Sequence, residues 1–365
     1  MSEKTKIEWT DHTASPWHGC AEVHAGCDHC YARTMAKRNP GTLGVWGPEG
    51  TRVRSASFDA NCRRWNRAAE KAGERASVFP SICDPFEDWQ GPILNAKGER
   101  LVTCWGCDDY HGGKEPLNKD SKWLTMDHLR RDLFKTIDDC PWLDFYLLTK
   151  RPENIRRAWE PHDFEKDASD LEAIGLPRHL AGDLAATRTD FRPNVYLLTS
   201  ISDQATADAM IPHLLACRDL VPVLGVSAEP LLGQIELTKH WYTTHNWHNW
   251  LTGQTGIGRT ENSSQLHNHP ETGKRLDWLI VGGESGPGAR PCNMRWIGEI
   301  VKQCRAADVA CFVKQLGANV IAGGNFADKT GPMERIKFRD PKGGDPEEWL
   351  KFLRVRQYPK ASVKA

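Results

Sequence analysis

The stretch DFYLLTKRP, residues 144–152, decides the fold class. Its apolar centre of about five residues, closed off by polar ones, fits a strand buried on both faces. Working outward, the same shape recurs in SVFPSICDPFED (77–88), NVYLLTSISD (194–203), VPVLGVSAEP (221–230), DWLIVGGESG (277–286) and VACFVKQLG (309–317). Helix-like stretches separate most of these runs. TMDHLRRDLFKTIDDC (125–140) has Thr125 placed to cap its N-terminus, and RWIGEIVKQCRAAD (295–308) precedes the last run. Alternating strands and helices predict an α/β fold with a parallel sheet, open or closed into a barrel.

In such sheets the ligand lies beyond the carboxyl ends of the strands. The polar residues there are Asp84, Lys150, Arg151, Ser200, Ser202, Ser227, Glu229, Glu284, Ser285, Lys314 and Gln315. Strand after strand ends in a polar group, so the set points to a site at that end of the sheet.

The rest of the composition narrows the class. The 365 residues are 39% hydrophobic, enough for a sizeable core, and carry 48 basic and 48 acidic side chains for a formal net charge of zero. No global field draws the chain to nucleic acid, although a local patch could. Mean hydropathy is −0.58, and no apolar run approaches the roughly 20 residues of a membrane helix. The start, MSEKTKIEWTD, has no signal-peptide core, so a cytoplasmic protein with no membrane partner is expected. Residues 37–76, 90–122 and 240–274 break the strand–helix rhythm and read as irregular insertions; residues 319–365 read as a C-terminal extension of a domain spanning 1–318.

Twelve cysteines in a reducing compartment point to metal or redox chemistry more than to disulfides. Three crowd into SPWHGCAEVHAGCDHCYA (15–32): Cys20, Cys27 and Cys30. A structural zinc site wants four ligands, and His18, His24 or His29 could supply the fourth. The alternative is a [4Fe–4S] cluster on three thiolates, whose fourth iron is open to a ligand.

At this point the chain resembles the radical S-adenosylmethionine (SAM) enzymes, through the three-cysteine loop, Tyr31 beside Cys30, and the β/α units that follow. Their usual spacing is C-x3-C-x2-C, whereas this chain has C-x6-C-x2-C. The strand ends LLTKRP and SAEP look like the spore photoproduct lyase branch, and KIEWTD, GCDHCYA, LLTKRP, VGGESGPGARP and KQLG together look like a phage-associated family in that superfamily. The resemblance implies a partial (β/α) barrel of radical SAM type. It implies a [4Fe–4S] cluster on Cys20, Cys27 and Cys30, and SAM cleaved to a 5′-deoxyadenosyl radical that abstracts hydrogen. Tyr31, Lys150, Ser200, Ser227 and Glu229 would then contact SAM, with Lys150 on its carboxylate and Glu229 on its ribose. Gly282 and Gly283 would admit the adenine or substrate closely, beside Glu284. A flavodoxin or ferredoxin would supply the electron.

Cys104 and Cys107 form a second pair, for zinc or an auxiliary cluster, with Cys62 or Cys83 able to join. Cys292, after the glycine loop, is a candidate hydrogen donor. His240, His245, His248, His267 and His269 fit no metal spacing and belong to a solvated loop, whose Trp241, Trp247, Trp250, Arg259 and Lys274 are where DNA would be contacted. The implied activity is isomerisation or modification of a thymine-derived base in phage DNA, as restriction evasion. The alternatives are a radical enzyme on a small molecule or peptide, and a zinc-stabilised adaptor without catalysis.

Overall fold

The structure, a computed structural model, describes residues 5–103, 110–113, 122–159, 191–241, 246–257, 273–323 and 333–359. Each of the six apolar runs contains a strand of one parallel sheet. They are β2 (Ala76–Phe79), β3 (Leu143–Thr149), β4 (Val195–Ile201), β5 (Val223–Ala228), β6 (Trp278–Gly282) and β7 (Ala310–Gln315), preceded by the short edge strand β1 (His12–Thr13). The seven pair in sequence order, all parallel. Sequential parallel pairing makes every crossover run the same way, and the strand twist then curls the sheet into a half barrel.

The crossovers carry the helices. After α1 (Tyr31–Arg38), these are α2 (Phe58–Ala72), α3 (Met126–Asp138), α4 (Gln204–Leu215) and α5 (Met294–Ala306). Thr125 caps α3 as expected, in a capping box with His128. The alternation of side chains along each strand divides the core in two. Val78, Phe145, Leu147, Leu197, Val226, Val281 and Val313 face outward and pack with Leu133, Ile211 and Ile300 of the helices. Phe79, Tyr146, Tyr196, Leu198, Trp278, Ile280 and Phe312 face inward and close on Trp9 from the N-terminal segment. The Trp9 ring lies 4.5 Å from Phe79 and 5.9 Å from Tyr146, and Tyr146 lies 5.0 Å from Tyr196. Such pairs each contribute about 0.5–1.5 kcal/mol beyond the area they bury. The barrel interior is thus a packed aromatic floor.

The segments expected to be irregular insertions are in part regular. Residues 37–76 contain α2, whose Phe58, Cys62, Trp65 and Ala69 form one buried stripe against the sheet. Further on, His240–Trp241, Asn246–His248 and Thr255–Ile257 form a small antiparallel sheet. Trp250 is fully buried there, with His240 stacked at 4.5 Å, and is core and not a nucleic-acid contact. Trp241 remains exposed. The described segments after residue 318 pack onto the rest of the fold. Val320–Gly323 pairs with Cys292–Asn293 and Met333–Ile336, and residues 355–357 bond to the free edge of β7 through Val313 N–H to Val355 O and Gln357 N–H to Cys311 O, both 2.8 Å. That covers an edge that would otherwise template aggregation. Among the described residues, no helix is long and apolar enough to cross a membrane.

Candidate functional site at the mouth of the half barrel

Alternation along the strands also builds the site. Lys150, Ser200, Ser227, Glu229 and Lys314 continue the inward-facing series of Leu148, Leu198, Gly225 and Phe312 past the carboxyl ends of the strands. They line a cavity of about 240 Å3 with Tyr31, Gly283, Glu284, Ser285 and Gln315, over the floor of Trp9, Phe79 and Leu148. Ser200 and Ser227 are register partners on β4 and β5. Of the expected strand-end residues, Arg151 and Ser202 do not reach the cavity.

The central feature is an ion pair between strands that are not neighbours. Glu229 follows β5 and Lys314 belongs to β7, yet Lys314 Nζ lies 3.1 Å from Glu229 Oε1. Two local features of the intervening β6 allow it. The register slips between Val281 and Gly282, so that Gly282 pairs with Gln315 and Lys314 is passed over. Gly282 also has no side chain; a Cβ there would lie 2.9 Å from Glu229 Oε1. Gly282 therefore makes room for a carboxylate of the protein itself. Gly283 faces the backbone of Leu316 and Gly317, and a Cβ there would collide with it. Burial works against the Lys314 ammonium, but the Glu229 carboxylate outweighs it and holds its pKa above the usual lysine value. Lys150 differs: among the described residues it makes no ion pair.

A second group ties the cysteine loop to the end of β6. Arg290 embraces Glu284, with Nη2 to Oε1 at 2.6 Å and Nε to Oε2 at 3.1 Å, and its Nη1 reaches Ala25 O at 2.7 Å and Asp28 Oδ2 at 3.1 Å. His29 Nδ1 lies 3.0 Å from Glu284 Oε2. Burial would raise the Glu284 pKa, but the Arg290 hydrogen bonds win and lower it. Gly26 brings the turn so close to β4 that a side chain would strike Ser202. Sequence reasoning missed Arg290, which stands in a glycine-proline loop with no period to mark it.

A third group holds Cys20 from behind. Arg52, fully buried, bonds Glu87 through Nε at 2.8 Å and Nη2 at 2.7 Å. Arg151 bonds Asp84 Oδ2 at 2.8 Å and Ala21 O at 3.0 Å, and Thr149 Oγ1 donates to Asp84 Oδ1 at 2.6 Å. Asp84 and Arg151 are thus spent on the scaffold.

The expected cofactors are corrected by this geometry. Cys20, Cys27 and Cys30 all border the cavity, but among the described residues no three His, Cys, Asp or Glu side chains are grouped to hold a metal ion. Cys20 donates to Ala21 O at 3.3 Å, while burial first, and then Asp84 and Glu87, push its pKa well up, against the thiolate a metal needs. Cys27 Sγ accepts from Val23 N–H at 3.5 Å. Each nearby histidine has its Nδ1 engaged, His18 with Thr42 O, His24 with Gly26 N–H and His29 with Glu284, and none is grouped with the three cysteines to hold a metal. Among the described residues neither a [4Fe–4S] cluster nor zinc has a ligand set, and the SAM expectation that rested on the cluster falls with it. Cys104 and Cys107 lie outside the described residues, as do His245, Arg259, His267 and His269. Their suggested partners are apart: Cys62 is buried in α2, and Cys83 borders the cavity. Cys292 is 1% exposed in the core beside α5, and burial pushes its thiol up to about 12; it does not reach the cavity.

No curated protein matches the chain, and no solved structure matches it. The resemblance to radical SAM enzymes is likewise corrected, because the family that matches is a different one. Its match covers residues 4–91 and 122–343, skipping the stretch that holds the 101–103 and 110–112 hairpin, and by it the chain belongs to the family described as "Protein of unknown function (DUF5131)".

Proposed function

We propose that the protein is an enzyme of isomerase or lyase type that moves a proton on a small planar substrate, with a thymine-derived nucleotide as the substrate class. The observation that carries this is the convergence of Glu229, Lys314 and Lys150 from three strands on one cavity above an aromatic floor. A ring rests on Trp9 and Phe79. Glu229 accepts the proton, and the paired Lys314 ammonium returns one. Lys150, with no carboxylate among the described residues to neutralise it, faces the negative charge that grows on a ring carbonyl oxygen when a neighbouring proton leaves. Ser200 and Ser227 supply hydroxyls along the ring edge.

Equilibrium dialysis with labelled thymidine and thymidine 5′-monophosphate tests the reading. Saturable binding that weakens about tenfold or more in Lys150→Ala is the expected result. No saturable binding of either compound by the wild-type protein would overturn it. The salt dependence of binding to a thymine oligonucleotide then tells whether the base arrives on DNA: a steep fall of log K with log salt marks a polymer substrate, and a flat response a free nucleotide.

A further inference from the structure

Beside the main cavity, and sharing Ser285 with it, lies an open cleft walled by the loop 285–289 and by Arg335, Asp340 and Lys342 over a floor of Ala318 and Asn319. Resting on the reading above, we infer that this cleft is a phosphate subsite, the seat of the substrate's phosphate while its ring lies in the main cavity.

The loop turns through two left-handed glycines, Gly286 at φ 93° and Gly288 at φ 77°, with open space where their side chains would be. The turn leaves donors unspent. Ala289 N–H bonds Gly286 O and Arg290 N–H bonds Glu284, but the N–H groups of Ser285, Gly286 and Gly288 donate to no acceptor among the described residues. A run of free backbone N–H groups in a glycine turn is an anion-binding concavity. The side chains opposite agree in charge. Arg335 donates only to Ala318 O, at 3.4 Å, and has no carboxylate partner among the described residues. Lys342 is paired with Glu8 at 3.0 Å. The one acid of the cleft, Asp340, has its oxygens committed to Lys342 N–H at 3.2 Å and Gly344 N–H at 2.8 Å. Arg335 is therefore the uncommitted cation, and a guanidinium opposite several N–H groups suits a tetrahedral oxyanion.

The test uses the full chain and inorganic phosphate, followed by 31P line broadening, so that it reads the cleft without any nucleotide. Phosphate is expected to bind saturably, to weaken about tenfold in Arg335→Ala, to recover in part in Arg335→Lys, and to be unchanged in Lys150→Ala. Loss in Lys150→Ala with Arg335→Ala unaffected would put the anion in the main cavity and overturn the subsite. Indifference to both variants, or acetate binding as tightly as phosphate, would also overturn it. Thymidine binding that survives in Arg335→Ala while phosphate binding is lost separates the two sites. Failure of thymidine binding with phosphate binding intact would sink the reading of the main cavity and leave the subsite standing.

Discussion

Behind the cysteine loop, at the carboxyl end of β3, Arg52, Glu87, Arg151 and Asp84 answer one another completely: each charge has an opposite charge and hydrogen bonds, and of the four only Asp84 borders the cavity. At the same end of the sheet, Glu229 has one ion pair, with Lys314, and a long hydrogen bond from Ser227 Oγ at 3.4 Å, while the Lys150 ammonium has no ion pair among the described residues. The first network closes on itself and holds the chain; the second is left incomplete where the cavity begins. A cluster of charge at a strand end is therefore not a site by virtue of being there. What distinguishes a site is charge left unspent, because an ion kept near a cavity without full pairing costs stability that only a ligand restores.

The closed network yields the largest effect. Glu87→Gln leaves the buried Arg52 guanidinium without its carboxylate and should cost about 3–5 kcal/mol, read by urea unfolding. A loss below about 1 kcal/mol would mean that the network is no more than a surface pair and would break the contrast. Gly282→Ala comes next. It sets a methyl against Glu229 and should cost about 1–3 kcal/mol of strain while parting Glu229 from Lys314. Thymidine binding should fall in the same variant; unfolding and binding both unchanged would show that the pair does not depend on the bare glycine.

The reading of strands from sequence succeeded where burial on both faces left an unbroken run of aliphatic and aromatic residues, as in residues 145–148, 196–198 and 278–281. It missed β1, because two residues carry no periodicity, and the stripe of α2, because Arg63, Arg64 and Arg67 surround it with charge. The strand-end residues were legible through alternation alone: once Leu148 and Leu198 face inward, Lys150 and Ser200 must too. What alternation cannot supply is pairing across strands. The slip at Gly282 that joins Glu229 to Lys314 is a property of two strands together, and Arg290 reaches Glu284 through a loop whose path no local pattern fixes. Cys292 was misjudged for the converse reason. Its place after a glycine loop suggests access, but pairing of Cys292–Asn293 with Val320–Gly323 turns the sulfur into the core. The three-cysteine loop shows the same limit: proximity in sequence put all three at one cavity but did not converge them on a point.

The Glu284 latch lies between the two extremes, and pH sharpens it. The Glu284 carboxyl is held below its ordinary value in the folded protein, chiefly by Arg290 once burial is overcome. A depressed acid stabilises the fold above its unfolded pKa, and that stability is lost as pH falls through the folded value. Glu284→Gln should therefore cost about 1–2 kcal/mol near pH 7, and the gap from wild type should close on acidification below the usual glutamate range. A gap that is constant with pH would mean that Arg290 is held by Ala25 and Asp28 and not by this carboxylate.

Lys150 gives the smallest change in stability and the clearest test of the contrast. With no ion pair to lose among the described residues, Lys150→Ala should stay within about 0.5 kcal/mol of wild type. Its trace should appear instead on His24, whose pKa is lowered to about 4, first by burial and then by the Lys150 charge. A histidine held neutral in the fold leaves the protein fully stable above its unfolded pKa of about 6.5 and weakens it as pH falls toward 4. Removing Lys150 should raise the His24 value in an NMR titration and ease that acid loss, while thymidine binding drops. If His24 does not move, Lys150 turns away from the loop that carries the cysteines, and the cavity would lose the cation on which its proposed chemistry depends.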